Sequence, residues 1–86
     1  MTRDELKAWL IEQGYQEDRF GHFKKTMPRK DGGEKAVYRY KLNAYSARYE
    51  TQCRHSDGSA SWIRLRSGYY KNLSITEDGK LKGMTR

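Results

Sequence analysis

The first fourteen residues carry apolar side chains at helical spacing. Three large apolar residues recur at the i, i+3 and i+4 positions of one face: Leu6, Trp9 and Leu10. Thr2 and Glu5 have the spacing of a capping box, in which each side chain bonds the backbone of the other. Gly14 follows, and glycine commonly ends a helix. The pattern therefore predicts one amphipathic helix over residues 2–13.

After Gly14 the pattern changes to an alternation of apolar and polar residues, which is typical of β-strands. The predicted strands cover roughly 19–27, 35–42, 45–54 and 61–66, with a final hairpin of about 73–77 and 80–84. Three Asp-Gly pairs, which favour tight hairpin turns, fall between these segments: Asp31-Gly32, Asp57-Gly58 and Asp78-Gly79. We therefore expect an α+β fold, in which the N-terminal helix packs on a mostly antiparallel sheet of four to six strands.

Two connections have more than one interpretation. The link at Leu42-Asn43-Ala44 has no glycine, so it is either a bend or a hairpin in which Asn43 takes the turn conformation. Residues 67–72 interrupt the alternation and form either a loop or one helical turn.

Alternation along the central strands separates two kinds of side chain. The first set is mostly apolar: Tyr38, Tyr40, Leu42, Tyr45, Ala47, Tyr49, Thr51, Cys53, Ile63 and Leu65. The second set is basic, with Trp62 beside it and Glu50 as its acid: Arg39, Lys41, Arg48, Arg54, Arg64 and Arg66. Because successive strand residues point to opposite faces, the helix should cover the first set and leave the second as an open, basic face.

Length and charge narrow the possible functions. The chain has 86 residues and is expected to form a single domain over 1–86. It carries 18 Lys and Arg against 11 Asp and Glu, a net charge of +7, divided as −3 in residues 1–18 and +10 in residues 19–86. An acidic helix does not fit helix-turn-helix proteins, which place a basic helix in the major groove of DNA. The basic sheet instead favours an anionic partner.

The apolar runs, the charges near the N-terminus and the single cysteine bear on the cellular location of the protein and on disulfide formation. No apolar run is long enough to span a membrane, and the early acids Asp4 and Glu5 do not fit a signal peptide. We therefore expect a cytoplasmic protein without a membrane partner. The single cysteine, Cys53, cannot form a disulfide within the chain.

A basic face with aromatic residues suits single-stranded nucleic acid, because phosphates meet the cations and bases stack on the rings. The candidate binding residues are Arg39, Lys41, Arg48, Arg54, Trp62, Arg64, Arg66, Tyr69, Tyr70 and Lys71. We predict a non-enzymatic module that binds RNA or single-stranded DNA. The same residue types also suit an acidic protein surface, so a protein partner is the alternative.

Two other patterns bear on chemistry. His22 lies among cations, which favour the neutral imidazole that a general base requires, although no second catalytic group accompanies it. Cys53, His55 and Asp57 alternate along the chain and resemble metal ligands, but this spacing is common by chance. We expect no metal site and no cofactor.

Part of the chain resembles a known family. The matching segments are residues 4–7, Gly14-Tyr15 and 19–23. They resemble the start of HicA-type mRNA interferase toxins, which have a double-stranded-RNA-binding-domain-like fold, and the resemblance covers residues 4–25. It implies a ribonuclease with His22 as the catalytic histidine, although the family has a Gly-Ser before that histidine and Gly21 precedes His22 directly here. Residues 62–71 are similar to small phage and prophage proteins, a similarity that assigns no function by itself. The alternative prediction is a phage-type accessory protein that docks its basic face on a host protein such as a nuclease, as inhibitor or adaptor.

Overall fold

The N-terminal helix begins with the capping box that the sequence predicts. The computed structural model describes residues 1–29 and 32–86. Helix α1 spans Arg3–Glu12. The Thr2 hydroxyl accepts a hydrogen bond from the Glu5 N–H at 3.1 Å, and the Glu5 carboxylate accepts one from the Thr2 N–H at 2.8 Å. These bonds satisfy two N–H groups that the helix itself leaves unpaired, so local chemistry determines where α1 begins.

Five antiparallel strands form the main sheet, in the order β1-β2-β3-β4-β5. They are β1 Gln16–Glu17, β2 Phe23–Pro28, β3 Lys35–Leu42, β4 Ser46–Arg54 and β5 Ala60–Tyr69. A 3-10 turn follows at Tyr70–Asn72, and a second, two-stranded sheet pairs β6 Ser74–Ile75 with β7 Leu81–Lys82. The predicted α+β fold is confirmed. Within the described part of the chain, no helix has the length and apolar character needed to cross a membrane.

The core lies between α1 and one face of the main sheet. Its buried members are Leu6, Leu10, Tyr15, Phe23, Tyr40, Ala47, Tyr70 and Leu73. Tyr40 contacts Tyr15 and Trp9 edge-on, with ring centroids 5.3 and 6.4 Å away, a geometry that aromatic rings prefer. The N-terminal amine donates to the carbonyls of Tyr70 and Leu73, both at 3.0 Å. The start of the chain is therefore held against the 3-10 turn.

Two of the strand connections in the described part of the chain are tight Asp-Gly turns. Gly58 and Gly79 have φ angles of +88° and +79°, as expected for the second residue of an Asp-Gly turn. The first predicted turn includes Asp31, which lies outside the described residues. The link between β3 and β4 is a hairpin rather than a bend, because the Asn43 N–H donates to the Ser46 carbonyl at 2.8 Å.

Residues 67–72 divide between a strand and a helical turn. β5 continues to Tyr69, which pairs with Ser46, and the 3-10 turn begins at the next residue. This turn brings Tyr70 into the core, where it is 7% exposed and its hydroxyl donates to the Asn43 carbonyl at 2.6 Å. The expectation that Tyr70 is an accessible stacking residue is therefore wrong.

A β-bulge in β5 changes the face from which one arginine projects. Glu50 pairs with Arg64, whereas the preceding residue Tyr49 pairs with Arg66, so Leu65 is an extra residue on β5. Arg66 consequently projects on the same face as Tyr49, which is the face that α1 covers in part. The expectation that Arg66 shares the open face with Arg64 is wrong, because the bulge shifts the alternation by one residue.

Candidate functional site

The face of the main sheet opposite α1, called the open face, carries most of the predicted binding residues. Those that strand register places there are Arg39, Lys41, Arg48, Arg54, Trp62 and Arg64. Lys41 lies directly opposite Arg48, and Glu50 lies between Arg39 and Arg64 on the neighbouring strands. The alternation along β3 and β4 therefore predicted this face correctly.

At the centre of the open face, Glu50 forms a buried ion pair with Arg39. The Arg39 Nε lies 2.8 Å from the Glu50 Oε1, and Glu50 is 5% exposed. The Trp62 ring covers the guanidinium, whose central carbon lies 4.0 Å from the ring centroid. A cation over an indole face is attracted by the ring, most strongly where water is excluded. Arg39 is therefore engaged within the protein, where it holds Trp62 in a fixed position.

A second ion pair lies near the β1 edge of the open face. Lys24 Nζ is 2.9 Å from Asp18 Oδ2, and the other carboxylate oxygen accepts the N–H groups of Phe20 and His22. Burial raises the pKa of Asp18, but the hydrogen bonds from Lys24 and from these N–H groups outweigh it and lower the pKa to about 2. The sequence does not reveal this pair, because its two residues meet only through the short hairpin from β1 to β2.

His22 presents a hydrogen-bond donor rather than a base. Its Nδ1 lies 3.2 Å from Arg39 Nη1, and because a guanidinium cannot accept a hydrogen bond, Nδ1 must be the acceptor. The proton of the neutral ring is then on Nε2. Burial lowers the pKa of His22, and the Arg39 charge lowers it further. A general base needs an available lone pair, so this geometry gives no support to a ribonuclease role for His22.

The other cations of the open face keep their charges unpaired. Among the described residues no carboxylate forms an ion pair with Lys41, Arg48, Arg54 or Arg64. The three arginines are exposed, and Lys41 is half-buried. Lys41 and Arg48 occupy directly opposite positions, where like charges destabilise a sheet. An anion bound between them would remove that repulsion.

Tyr69 and Lys71 extend the open face beyond its row of cations. Tyr69 is 58% exposed, and Lys71 Nζ lies 5.9 Å from the centre of its ring. An exposed ring beside an ammonium group can stack on a base while the cation contacts the backbone phosphate. Of the three predicted aromatic residues, Tyr69 is thus accessible, Trp62 is half-buried against Arg39, and Tyr70 belongs to the core.

Of the alternating Cys53, His55 and Asp57, the histidine and the aspartate each bond a serine in the hairpin between β4 and β5. His55 Nε2 lies 2.9 Å from the Ser61 hydroxyl. One carboxylate oxygen of Asp57 accepts both the N–H and the hydroxyl of Ser59, at 2.9 and 2.6 Å, and so holds the turn between β4 and β5. In the part of the chain that the structure describes, no group of three or more His, Cys, Asp or Glu side chains is arranged to hold a metal ion.

Comparison with known proteins does not identify a function for the open face. No protein-family model, curated protein or solved structure matches the chain. The function is therefore inferred from the chemistry of the open face.

Proposed function

We propose that this protein binds single-stranded nucleic acid, RNA or DNA, on the open face of its sheet, without catalysing a reaction. The observation that carries the proposal is the cross-strand pair of Lys41 and Arg48, two like charges without a carboxylate partner among the described residues. Their repulsion lowers the stability of the free protein. A phosphate between them would accept charge-assisted hydrogen bonds from both, and such bonds are the strong ones.

The unpaired cations form a row along the strands of the open face. Arg48 and Arg54 lie six residues apart on β4, which corresponds to roughly 20 Å at about 3.3 Å per residue. Arg64 lies between them in the strand direction, on the adjacent strand β5. A row of this length suits successive phosphates of an extended polymer better than one small anion.

Aromatic residues flank the row. Trp62 is fixed on Arg39 before any ligand binds, so little side-chain freedom is lost when a base contacts it. Tyr69, at the other end of β5, is exposed and has Lys71 beside it. Each base stacked on such a ring contributes about 1–3 kcal/mol with little preference for sequence, which favours a binder of low specificity.

The test is fluorescence anisotropy with labelled single strands of RNA and DNA, about 12 nucleotides long to span the face. The Lys41→Gln, Arg48→Gln double variant should bind more weakly than the wild type. The slope of log K against log salt should fall in magnitude by about 0.7, because the two cations share one phosphate and each phosphate contact on a single strand contributes about 0.7.

A matched control removes the same charge elsewhere. Lys80→Gln with Lys82→Gln neutralises two exposed lysines in and beside β7, outside the open face, and should leave the salt slope close to that of the wild type. If the two double variants lose equal affinity for the single strand, the loss depends only on net charge, and the proposal is contradicted. A wild-type protein that binds no single strand, or one that prefers duplex, would also contradict it.

A further inference from the structure

The helix-facing side of the main sheet is only partly covered by α1. Beside α1 lies a groove of about 760 Å³, to which no α1 residue contributes. This volume is in the range of small-molecule sites, about 300–1,000 Å³. The rings of Tyr38 and Tyr49 lie in it nearly parallel, with centroids 5.7 Å apart and planes inclined by 12°. Met27 and Met84 also line this space, here called the tyrosine groove.

The tyrosine groove is basic as well as aromatic. Three arginines line it, Arg29, Arg66 and Arg86, and its described lining includes no Asp or Glu. Arg66 reaches the groove only because of the bulge at Leu65, and bulges commonly redirect a side chain next to a binding site. Burial raises the pKa of Tyr49, whereas the Arg66 charge lowers it, so the guanidinium acts on the groove's own tyrosines. Arg66 forms no ion pair within the described part of the chain.

We propose that the tyrosine groove binds a small ligand that joins a planar aromatic ring to a phosphate, of the class of a nucleoside monophosphate. The ring would pack on the tyrosines, with methionine sulfur at its edge. A guanidinium matches a phosphate in a bidentate geometry, and three guanidinium groups favour a dianion over a single carboxylate. The groove lies across the sheet from the open face, so this site does not depend on the nucleic-acid proposal.

Methionine methyl groups provide the readout. The chain has three methionines, of which Met27 and Met84 line the groove, whereas Met1 is held by its amine against the 3-10 turn. In protein labelled with ¹³C at the methionine methyls, AMP and UMP should shift the Met27 and Met84 signals and leave Met1 unchanged. Adenosine and inorganic phosphate, each lacking one half of the ligand, should bind at least about tenfold more weakly.

Substitutions at two nearby arginines distinguish binding in the tyrosine groove from binding on the open face. Arg66→Gln should weaken AMP binding at least about tenfold and leave single-strand binding in place, whereas Arg64→Gln should do the reverse. The proposal is overturned if millimolar AMP leaves both groove methyls unmoved, or if inorganic phosphate shifts them equally well. It is also overturned if an Asp- and Glu-rich peptide binds there more tightly than AMP, which would indicate a protein partner.

Discussion

Glu50→Gln removes the negative half of the buried ion pair while it leaves the size and shape of the side chain nearly unchanged. The side chains of Arg39 and Glu50 are 13% and 7% exposed, and Trp62 lies over the guanidinium. The variant therefore leaves a cation that is largely shielded from water and has lost its carboxylate. Breaking a buried pair by removing one partner costs about 3–5 kcal/mol, because the remaining charge is uncompensated.

That cost is a large share of the total stability. A domain of 86 residues has a free energy of unfolding of about 4–13 kcal/mol, at about 0.05–0.15 kcal/mol per residue. A loss of about 3 kcal/mol should lower the Tm by about 12–24 °C, since each kcal/mol corresponds to about 4–8 °C in a domain of this size. Replacing both charges, with Arg39→Met and Glu50→Leu, should bring the stability back to within about 1 kcal/mol of the wild type or above it.

Urea unfolding followed by tryptophan fluorescence measures these free energies. Arg39→Met, Glu50→Leu and the variant with both substitutions form a double-mutant cycle, from which the coupling between positions 39 and 50 is obtained. We expect both single variants to be strongly destabilised and the double variant to recover. A loss below about 1 kcal/mol in Glu50→Gln would refute the reasoning, because an exposed pair contributes about that much or less.

Three further predictions concern the backbone and the titrating groups. Gly83→Ala should lower the free energy of unfolding by about 3 kcal/mol in thermal unfolding, since Gly83 has a φ of +108° and an added Cβ would overlap the Asn72 carbonyl. Gly58→Ala, which has open space around it, should lower the free energy of unfolding by about 1–2 kcal/mol. Equal losses in the two variants would contradict the overlap at Gly83. Because the folded-state pKa of Asp18 is about 2 against an ordinary 3.8, Asp18 stabilises the protein above pH 3.8 and loses that effect as the pH falls toward 2. Asp18→Asn should therefore be less stable than the wild type at pH 7. The difference in free energy of unfolding should shrink below pH 3.8 and approach zero as the pH falls through about 2, and a difference that stays constant would argue against this role of Asp18. The pKa of His22 is lowered in the folded protein, so the unfolded chain takes up a proton at a higher pH than the folded protein does, and stability should fall as the pH drops below 6.5. His22→Gln should lack this part of the pH dependence. An NMR titration midpoint of His22 above 6.5 would contradict the prediction.

The sequence predicts those parts of the fold that local chemistry decides. The capping box of α1 and the Asp57-Gly58 turn each depend on residues a few positions apart, and both form as expected. The contact between Asp18 and Lys24 could not be predicted in the same way. It depends on the two-residue strand β1 folding back on β2, and two residues are too few to show an alternation.

The candidate site was predicted where alternation is regular and missed where strand pairing changes it. From Trp62 to Arg66 the sequence alternates without a break, so nothing in it distinguishes a regular strand from one with an extra residue at Leu65. The bulge is a property of how β5 pairs with β4. Tyr70 was wrongly predicted to be accessible for a similar reason. The sequence does not distinguish Tyr69 from Tyr70, and only the 3-10 turn brings the Tyr70 hydroxyl to the Asn43 carbonyl.

Two features of the main sheet work against its stability, and we propose that both serve the binding of anions. A glutamate in place of Lys41 would pair with Arg48 across the strands and contribute roughly 0.2–1 kcal/mol, yet the chain has two cations there. A regular β5 would leave Arg66 on the open face, yet the bulge, which interrupts the pairing with β4, turns it toward the tyrosines. Departures from local stability rules are expected mainly at functional sites. Arg64 and Arg66 lie on either side of Leu65 and on opposite faces. If each face binds an anion as proposed, a single substitution in β5 should weaken the binding on one face and leave the binding on the other face in place.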